Sequence, residues 1–335
     1  MSTRALRLSL LGATVIVIAI IGPFLPAKWM TTITYAQIFA IYAMGWDILS
    51  GMTGQISFGH IFFVAVSGYT TGLLNLYLRW PIWATILLGV AMAVLAGLMF
   101  SVPALRLRGP YFSLITLILP LATARLVIIL ADWTGGELGK FGVAALCPFL
   151  DYKANQYCNY YALWALMTGV GLLLIWLSTS RIGKILEAIR ENEEAVEAAG
   201  INVAKYKIFA FAVSACVVGL GGAFSVHVNE SVFFNSLLSL TTSIEMIVAS
   251  VIGGMGTIVG ALWGGFLVRG GEELIREVAH WKLPIGAEGL ALSFVERWAT
   301  FIFFTLLIVL LFVARQGLLP LLTGFFRRGK KRYAS

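Results

Sequence analysis

Apolar residues run along this chain in blocks near 8–25, 31–50, 56–78, 81–103, 111–131, 159–178, 206–228, 237–252, 257–271 and 292–314. A helix crossing a bilayer needs about 20 predominantly apolar residues. The pattern therefore predicts an all-α, polytopic membrane helix bundle of about ten spans, with residues 1–335 forming a single transmembrane domain. Blocks 237–252 and 257–271 are short and separated only by Gly253, Gly254, Met255 and Gly256. They read either as two full crossings or as a broken, re-entrant pair, so the count lies between about eight and ten. An even number puts both termini on one side.

The pattern is interrupted by a charged island at 179–205, between the blocks that end at 178 and begin at 206. Its first half places Ile182, Ile185, Leu186 and Ile189 on one helical stripe opposite Lys184, Glu187 and Arg190, as in a helix lying along a surface. The second half starts afresh at Asn192, a good N-cap. Glu193 and Glu194 fall in the first turn, where the helix dipole favours them, and Gly200 follows the last helical residues. A short helix over Glu193–Ala199 is expected, about two turns and roughly 10 Å long. Glu193 reads as an exposed carboxylate worth only about 0.3–1 kcal/mol at the helix end.

Composition agrees with a membrane protein: 59% of the residues are apolar and 12% charged, against about 25% charged in ordinary soluble domains. The net charge of +8 does not point to nucleic acid, because the basic residues sit at the ends of apolar blocks. Arg4 and Arg7, Arg106 and Arg108, five residues between Arg181 and Lys207, and six from Arg315 to Arg332 place fifteen on one face. Lys28, Arg79, Lys140, Lys153, Arg276, Lys282 and Arg297 place seven on the other. The richer face is expected in the cytosol, with both termini and the 179–205 island, while 132–158 forms a periplasmic loop. Leu8–Leu25 after two arginines could pass for a signal peptide. Pro23, Pro26, Lys28 and the lack of a small-x-small site favour a retained span. Cys147 and Cys158 lie in the periplasmic loop and can either pair or remain thiols, since sequence separation says nothing of distance. No cysteine or histidine pair has metal-ligand spacing, so neither metal nor cofactor is expected.

Gly51-Met-Thr-Gly54-Gln55-Ile-Ser57-Phe-Gly59-His60 is a polar, glycine-rich stretch between two apolar blocks. It predicts a helix break in which Gln55, Ser57 and His60 either satisfy freed backbone groups in a tight turn or face a watery cavity. A charge inside a span costs about 2.5–3.5 kcal/mol at the helix centre and is usually aimed at protein or water. Glu245 is the best placed of these and reads as a pathway or inter-helix group. Asp47 is a further pathway or helix-break candidate, although it and Arg125 read more readily as solvated groups near an interface. Gly256, Gly260 and Gly264 recur every fourth residue as a ridge for close helix packing. Gly219, Gly221 and Gly222 do not form a phosphate loop, because no Lys-Ser/Thr follows them. With no ATP-binding motif in the chain, any energy must come from elsewhere.

The words AIRENEEAVEAAGINVAKYK (Ala188–Lys207) and GMTGQISFGHIFFVAVSGYT (from Gly51) resemble permease subunits of branched-chain amino-acid ABC importers, the LivM-like family. So do Leu105-Arg106-Leu-Arg108-Gly109-Pro110-Tyr111, Thr134–Gly136 and GGMGTIVGALWGG at 253–265. The matches run from about residue 35 to 275, while 229–238 departs from the pattern. The resemblance implies a multi-pass protein of the bacterial inner membrane that is not itself an enzyme. Its partners would be a second, homologous permease, two ATP-binding-cassette ATPases and a periplasmic substrate-binding protein. It implies that the island carries the coupling helix, with Arg190, Glu193, Glu194, Glu197, Ala198 and Gly200 as its residues. Branched-chain amino acids lead as substrates, with aromatic acids, urea and short amides imported by relatives of the same skeleton. An ion-coupled secondary transporter working through Glu245 or Asp47 is the rival from another class. A membrane-embedded enzyme would need a cluster of nucleophile, base and metal ligand that the chain lacks.

Overall fold

The computed structural model describes residues 3–105, 107, 109–148, 150–280, 298, 301–310 and 317. The expectations for Arg106 and Arg108, for Lys282 and Arg297, for most of block 292–314 and for the basic run Arg315–Arg332 lie outside the described residues. Among the described residues, six helices are long and apolar enough to cross a membrane. They are α1 (Thr3–Ile21), α3 (His60–Leu78), α4 (Ile82–Ala104), α5 (Pro110–Ile129), α7 (Tyr152–Thr179) and α10 (Val203–Asn229). A short α6 (Ala131–Thr134) follows α5.

Two further long helices, α2 (Ala27–Trp46) and α13 (Val259–His280), are not among the six. Both carry polar residues, Thr31, Thr32 and Gln37 in the first and Arg269, Glu272 and Glu273 in the second. The bundle itself shields α2, whose residues from Ala36 to Trp46 are all buried. It packs against α7, α10, α13 and α12 (Leu240–Gly253). At 14 residues, α12 spans roughly 21 Å, short of the ~30 Å hydrocarbon core. The five-residue α11 (Phe234–Leu238) precedes it.

Small residues let these backbones meet. A Cβ on Gly260 or Gly264 of α13 would strike the α12 backbone at Gly253 and Ala249, and one on Gly265 would lie 2.7 Å from the Ala40 Cα of α2. The expected ridge thus holds for Gly260 and Gly264. Gly256 is off it, because it sits in the α12–α13 turn at φ +80°, a conformation that glycine adopts without strain. The glycines of α10 likewise face other helices: Gly219 lies against Ala93 and Ser67, Gly221 against Tyr42 and Gly222 against Val64.

The end of the bundle that holds Lys28, Arg79 and Glu230 is stitched together by the 132–158 loop. The all-α bundle carries here one short antiparallel strand pair, β1 (Lys140–Phe141) with β2 (Ser231–Val232). The Val143 N–H donates to the Glu230 carbonyl at 3.1 Å, and the Ala144 N–H to Asn75 Oδ1 at 2.8 Å. His227 Nδ1 meets the Ala144 carbonyl at 2.8 Å. Cys147 and Cys158 form a disulfide, with Cα atoms 6.5 Å apart. The second cysteine belongs to α7, which begins at Tyr152 rather than at the expected 159. The polar segment Lys153–Asn159 is helical there because its side chains lie at the bundle's rim, not in its apolar layer. Arg125 is exposed on the outer face of α5.

Candidate functional site

The charged island folds into α8 (Arg181–Glu191) and α9 (Glu193–Ala198) at the end of the bundle opposite the disulfide. Each start is capped by a side chain: Ser180 Oγ accepts from the Gly183 N–H at 3.3 Å, and Asn192 Oδ1 from the Ala195 N–H at 3.0 Å. The α8 stripe does not merely lie on a surface, because Leu186 and Ile189 are buried in the core and α8 packs on α7 and α10. At the end of α9, the Ile201 N–H donates to the Val196 carbonyl at 3.3 Å and the Gly200 N–H to the Glu197 carbonyl at 2.9 Å. With Gly200 at φ +81°, this pair of bonds is a Schellman ending. Val196 points inward, while Glu194, Glu197 and Ala198 are exposed on the outer side.

Two island residues face the bundle. Glu193 is not the solvated carboxylate expected of a first helical turn: its Oε2 lies 2.7 Å from the Nζ of Lys207, whose side chain is only 4% exposed. Lys207 had counted only as one more basic residue at the foot of a span. Its place inside the first turns of an apolar helix, within reach of an acidic cap, is the signal that marks it. Arg190 also turns inward, its Nη1 donating to the Gly51 carbonyl at 2.7 Å.

That carbonyl belongs to the helix break. After Trp46 the last turn of α2 widens into a π-helical turn over Asp47–Gly51, Gly54 takes φ +78°, and the chain runs without regular structure until α3 begins at His60. The break is fastened from several sides. Trp46 Nε1 donates to the Ser57 carbonyl at 2.8 Å, the Phe58 N–H to Thr116 Oγ1 at 3.1 Å, and Ser113 Oγ to the Ile56 carbonyl at 2.7 Å. Ser57 Oγ accepts from the Gly59 N–H at 3.3 Å. His60 Nε2 lies 2.8 Å from Ser214 Oγ, and Ser214 Oγ donates its own proton to the Gly45 carbonyl at 2.7 Å. The hydroxyl has one proton to give, so Nε2–H of His60 is the donor in its pair. Ser57 is thus bonded within the break, and His60 ties its end to α10. Half-buried Gln55 borders a separate apolar groove of about 680 Å³ with Phe58, Phe112 and Leu117.

Asp47 is the second correction. Expected near an interface in water, it is wholly buried. Its Oδ1 accepts from Ser250 Oγ at 2.6 Å and the Gly256 N–H at 2.7 Å, and its Oδ2 from the Ile258 N–H at 2.9 Å. Three donors stabilise a buried carboxylate that would otherwise be costly.

Glu245 stands apart from the other candidates. It lines a polar cavity of about 530 Å³ between α2, α10, α11, α12 and α13, together with Tyr35, Tyr42, Asn229, Thr242 and Arg269. Its Oε2 pairs with Arg269 Nη2 at 3.0 Å, and the guanidinium rests 4.8 Å from the centre of the Phe39 ring. The ion pair and the ring together make an intramembrane charge tolerable. Arg269 lies inside block 257–271, and an opposite charge in the preceding apolar block, Glu245, is the cue in the sequence to its partner. At the rim Lys28 pairs with Glu273 at 3.1 Å and Glu277 at 2.5 Å, joining the start of α2 to the end of α13.

The branched-chain amino acid transport system permease component family matches residues 29–311. The chain is 26% identical over 292 residues to the high-affinity branched-chain amino acid transport system permease protein LivM of Escherichia coli K12, covering 80% of this chain and 68% of that one. It is 29% identical over 148 residues to the probable permease LivH of Methanocaldococcus jannaschii, covering 44% and 45% of the two chains. Over 101 residues it is 35% identical to the ribose import permease RbsC of Haemophilus influenzae, covering 27% and 31%. No solved structure gives a significant match. With the family matched over most of its length, this chain belongs to the permease components of branched-chain amino acid transport systems.

Proposed function

We propose that the chain is one of two permease subunits of an ATP-driven importer that carries branched-chain or related amino acids inward. Family membership and six apolar helices make it a multi-pass protein of the inner membrane. In the proposed complex a homologous permease pairs with it, two ATP-binding-cassette ATPases dock at the α9 end, and a periplasmic binding protein delivers solute to the cavity end. The crossings are taken as α1, α2, α3, α4, α5, α7, α10, α12, α13 and the segment that includes the helix at 301–310, with both termini cytosolic.

The observation that carries this reading is α9. A two-turn helix, capped at both ends and showing Glu194, Glu197 and Ala198 outward, is a rigid knob on an otherwise apolar protein. Solute crosses by way of the cavity that holds Glu245 and Arg269. The names of the relatives support amino acids as cargo.

Gly200 tests the coupling role. Nothing lies within 4 Å of a Cβ added there, yet φ is +81°, so Gly200→Val adds backbone strain of about 1–2 kcal/mol without a clash. In complexes reconstituted into nanodiscs, substrate-loaded binding protein is expected to stimulate ATP hydrolysis several-fold less in this variant, and uptake should fall in parallel. Full stimulation would return α9 to a passive loop.

Orientation is tested with single cysteines in a cysteine-free background. Gly139 is unsuitable, because its φ is +72° and a side chain there would meet the Val232 carbonyl. Leu138, 82% exposed, takes its place. In intact cells Leu138→Cys should react with an impermeant maleimide and Ala198→Cys should not; the reverse labelling inverts the topology.

A further inference from the structure

We propose that Asp47 and Arg190 are positioning residues for transport: together they latch the α12–α13 turn to the broken end of α2, and movement of the α8–α9 arm reaches the Glu245–Arg269 pair through this latch. The inference rests on the importer reading and names the side chains that link its two ends.

Two backbones and the Arg190 guanidinium converge at the latch. The Gly51 carbonyl receives Arg190 Nη1 at 2.7 Å. A Cβ on Gly51 would lie 2.7 Å from the Gly256 nitrogen, and one on Gly256 would lie 2.6 Å from Arg190 Nη1. The end of α2, the α12–α13 turn and α8 therefore touch with no space for a side chain between them. Asp47 closes the junction by holding Ser250, Gly256 and Ile258 at once.

A buried aspartate with three donors is in itself an ordinary structural device. Ile258 makes this one different. Its φ is +60°, a left-handed conformation that is a true outlier for a β-branched residue, and it is fully buried. Such a conformation persists only where the surroundings impose it. Beside the turn's own bonds at Thr257 and Val259, the contact that reaches it from another helix is the Ile258 N–H bond to Asp47 Oδ2. The turn is thus held away from its relaxed backbone by a side chain of a different helix, so weakening the hold gives it somewhere to go.

What hangs from the turn gives the release a consequence. Glu245 lies five residues before Ser250 on α12, and Arg269 lies on α13 beyond Ile258. These are the two halves of the ion pair in the polar cavity. On the other side, Arg190 is two residues from the Asn192 cap of α9, so displacement of α9 acts directly on the Arg190–Gly51 bond. One element that both sites bias is the physical requirement for coupling between them.

Asp47→Asn breaks the latch selectively. An amide has a single acceptor oxygen; if it keeps Ser250 and Gly256, its NH2 faces the Ile258 N–H. Arg190→Met keeps the stem and removes the guanidinium, and Arg190→Lys retains one donor. In the assembled complex in nanodiscs, ATP hydrolysis is measured with and without substrate-loaded binding protein, and uptake in liposomes. The ratio of stimulated to unstimulated hydrolysis is expected to fall about tenfold in Asp47→Asn and in Arg190→Met, as the loss of a charge-assisted hydrogen bond allows. Arg190→Lys should recover part of it. The double variant should be no worse than the worse single one, because both changes open the same latch. Wild-type stimulation in the single variants, losses that multiply in the double, or Met serving as well as Lys at 190 would each overturn the proposal. Should Asp47→Asn fail to assemble, the comparison of Met with Lys at 190 decides alone. Lost stimulation in Gly200→Val beside wild-type stimulation in Arg190→Met removes the latch and leaves the importer reading standing.

Discussion

Glu193→Gln is expected to destabilise the protein by about 2–3 kcal/mol, far more than a surface charge at a helix end is worth, because it leaves the Lys207 ammonium without its counter-charge. Lys207 is almost wholly enclosed but Glu193 is 30% exposed, so the loss falls below the roughly 3–5 kcal/mol of breaking a fully buried pair. The neutral amide can still accept one hydrogen bond, but it cannot balance a charge held away from water. A thermal melt of the purified permease reads the effect. Lys207→Met in the same background should recover most of the lost stability, since an apolar stem of similar length removes the orphaned charge as well. If Glu193→Gln melts like the wild type, the pair is only a surface contact. A double variant no better than the single one would mean that Lys207 is held by other groups.

Glu245→Gln is expected to lower uptake by more than tenfold while the subunit still assembles. The amide keeps the shape of the side chain, and Arg269, 34% exposed and stacked on Phe39, retains a ring to rest on and contact with the cavity. The field in the cavity changes most, because one cation is left without its partner in a low-dielectric setting. Uptake by reconstituted vesicles, alongside the yield of assembled complex, separates the two effects. Removing both charges in Glu245→Gln/Arg269→Met should restore stability but not transport if the pair serves the pathway. Wild-type uptake in either variant would leave the pair a structural tie.

The elements of this bundle were legible where one helix carries its own signal. Asn192, Glu193, Glu194 and Gly200 announced α9, its cap and its ending, since caps and left-handed endings are chosen by residues close in sequence. The break after Gly51 was legible for the same reason. What was not legible depended on partners far along the chain. Asp47 reads as a carboxylate near an interface until Ser250, Gly256 and Ile258 arrive from some two hundred residues away. Glu193 and Lys207 each match a local rule, helix dipole and positive-inside bias, and those rules concealed the pair. The polar composition of α2 and α13 likewise gave no hint of how deeply the bundle encloses α2. Ser57 and His60 show the reverse difficulty: a polar residue in an apolar setting suggests a pathway, whereas in the fold Ser57 Oγ accepts from the Gly59 N–H and His60 Nε2–H donates to Ser214 Oγ.

The stitching at the disulfide end has a mechanical consequence. There β1 and β2, the Asn75 and His227 contacts and the covalent Cys147–Cys158 link tie the loop to α3, α7 and α10. At the opposite end α8 packs on α7 and α10 through Leu186 and Ile189, and single contacts such as Glu193–Lys207 and Arg190–Gly51 fasten the rest. With its 27 residues, α10 is a lever roughly 40 Å long, pinned at one tip and carrying Lys207 near the other. A rotation of about 5° that leaves the pinned tip in place moves the free tip by roughly 3–4 Å over that length. Such a swing is enough to part the 2.7 Å contact between Lys207 and Glu193. Small angular changes among the pinned helices are therefore read out as the making and breaking of contacts at the far end, and a push delivered there works with the full length of the arm.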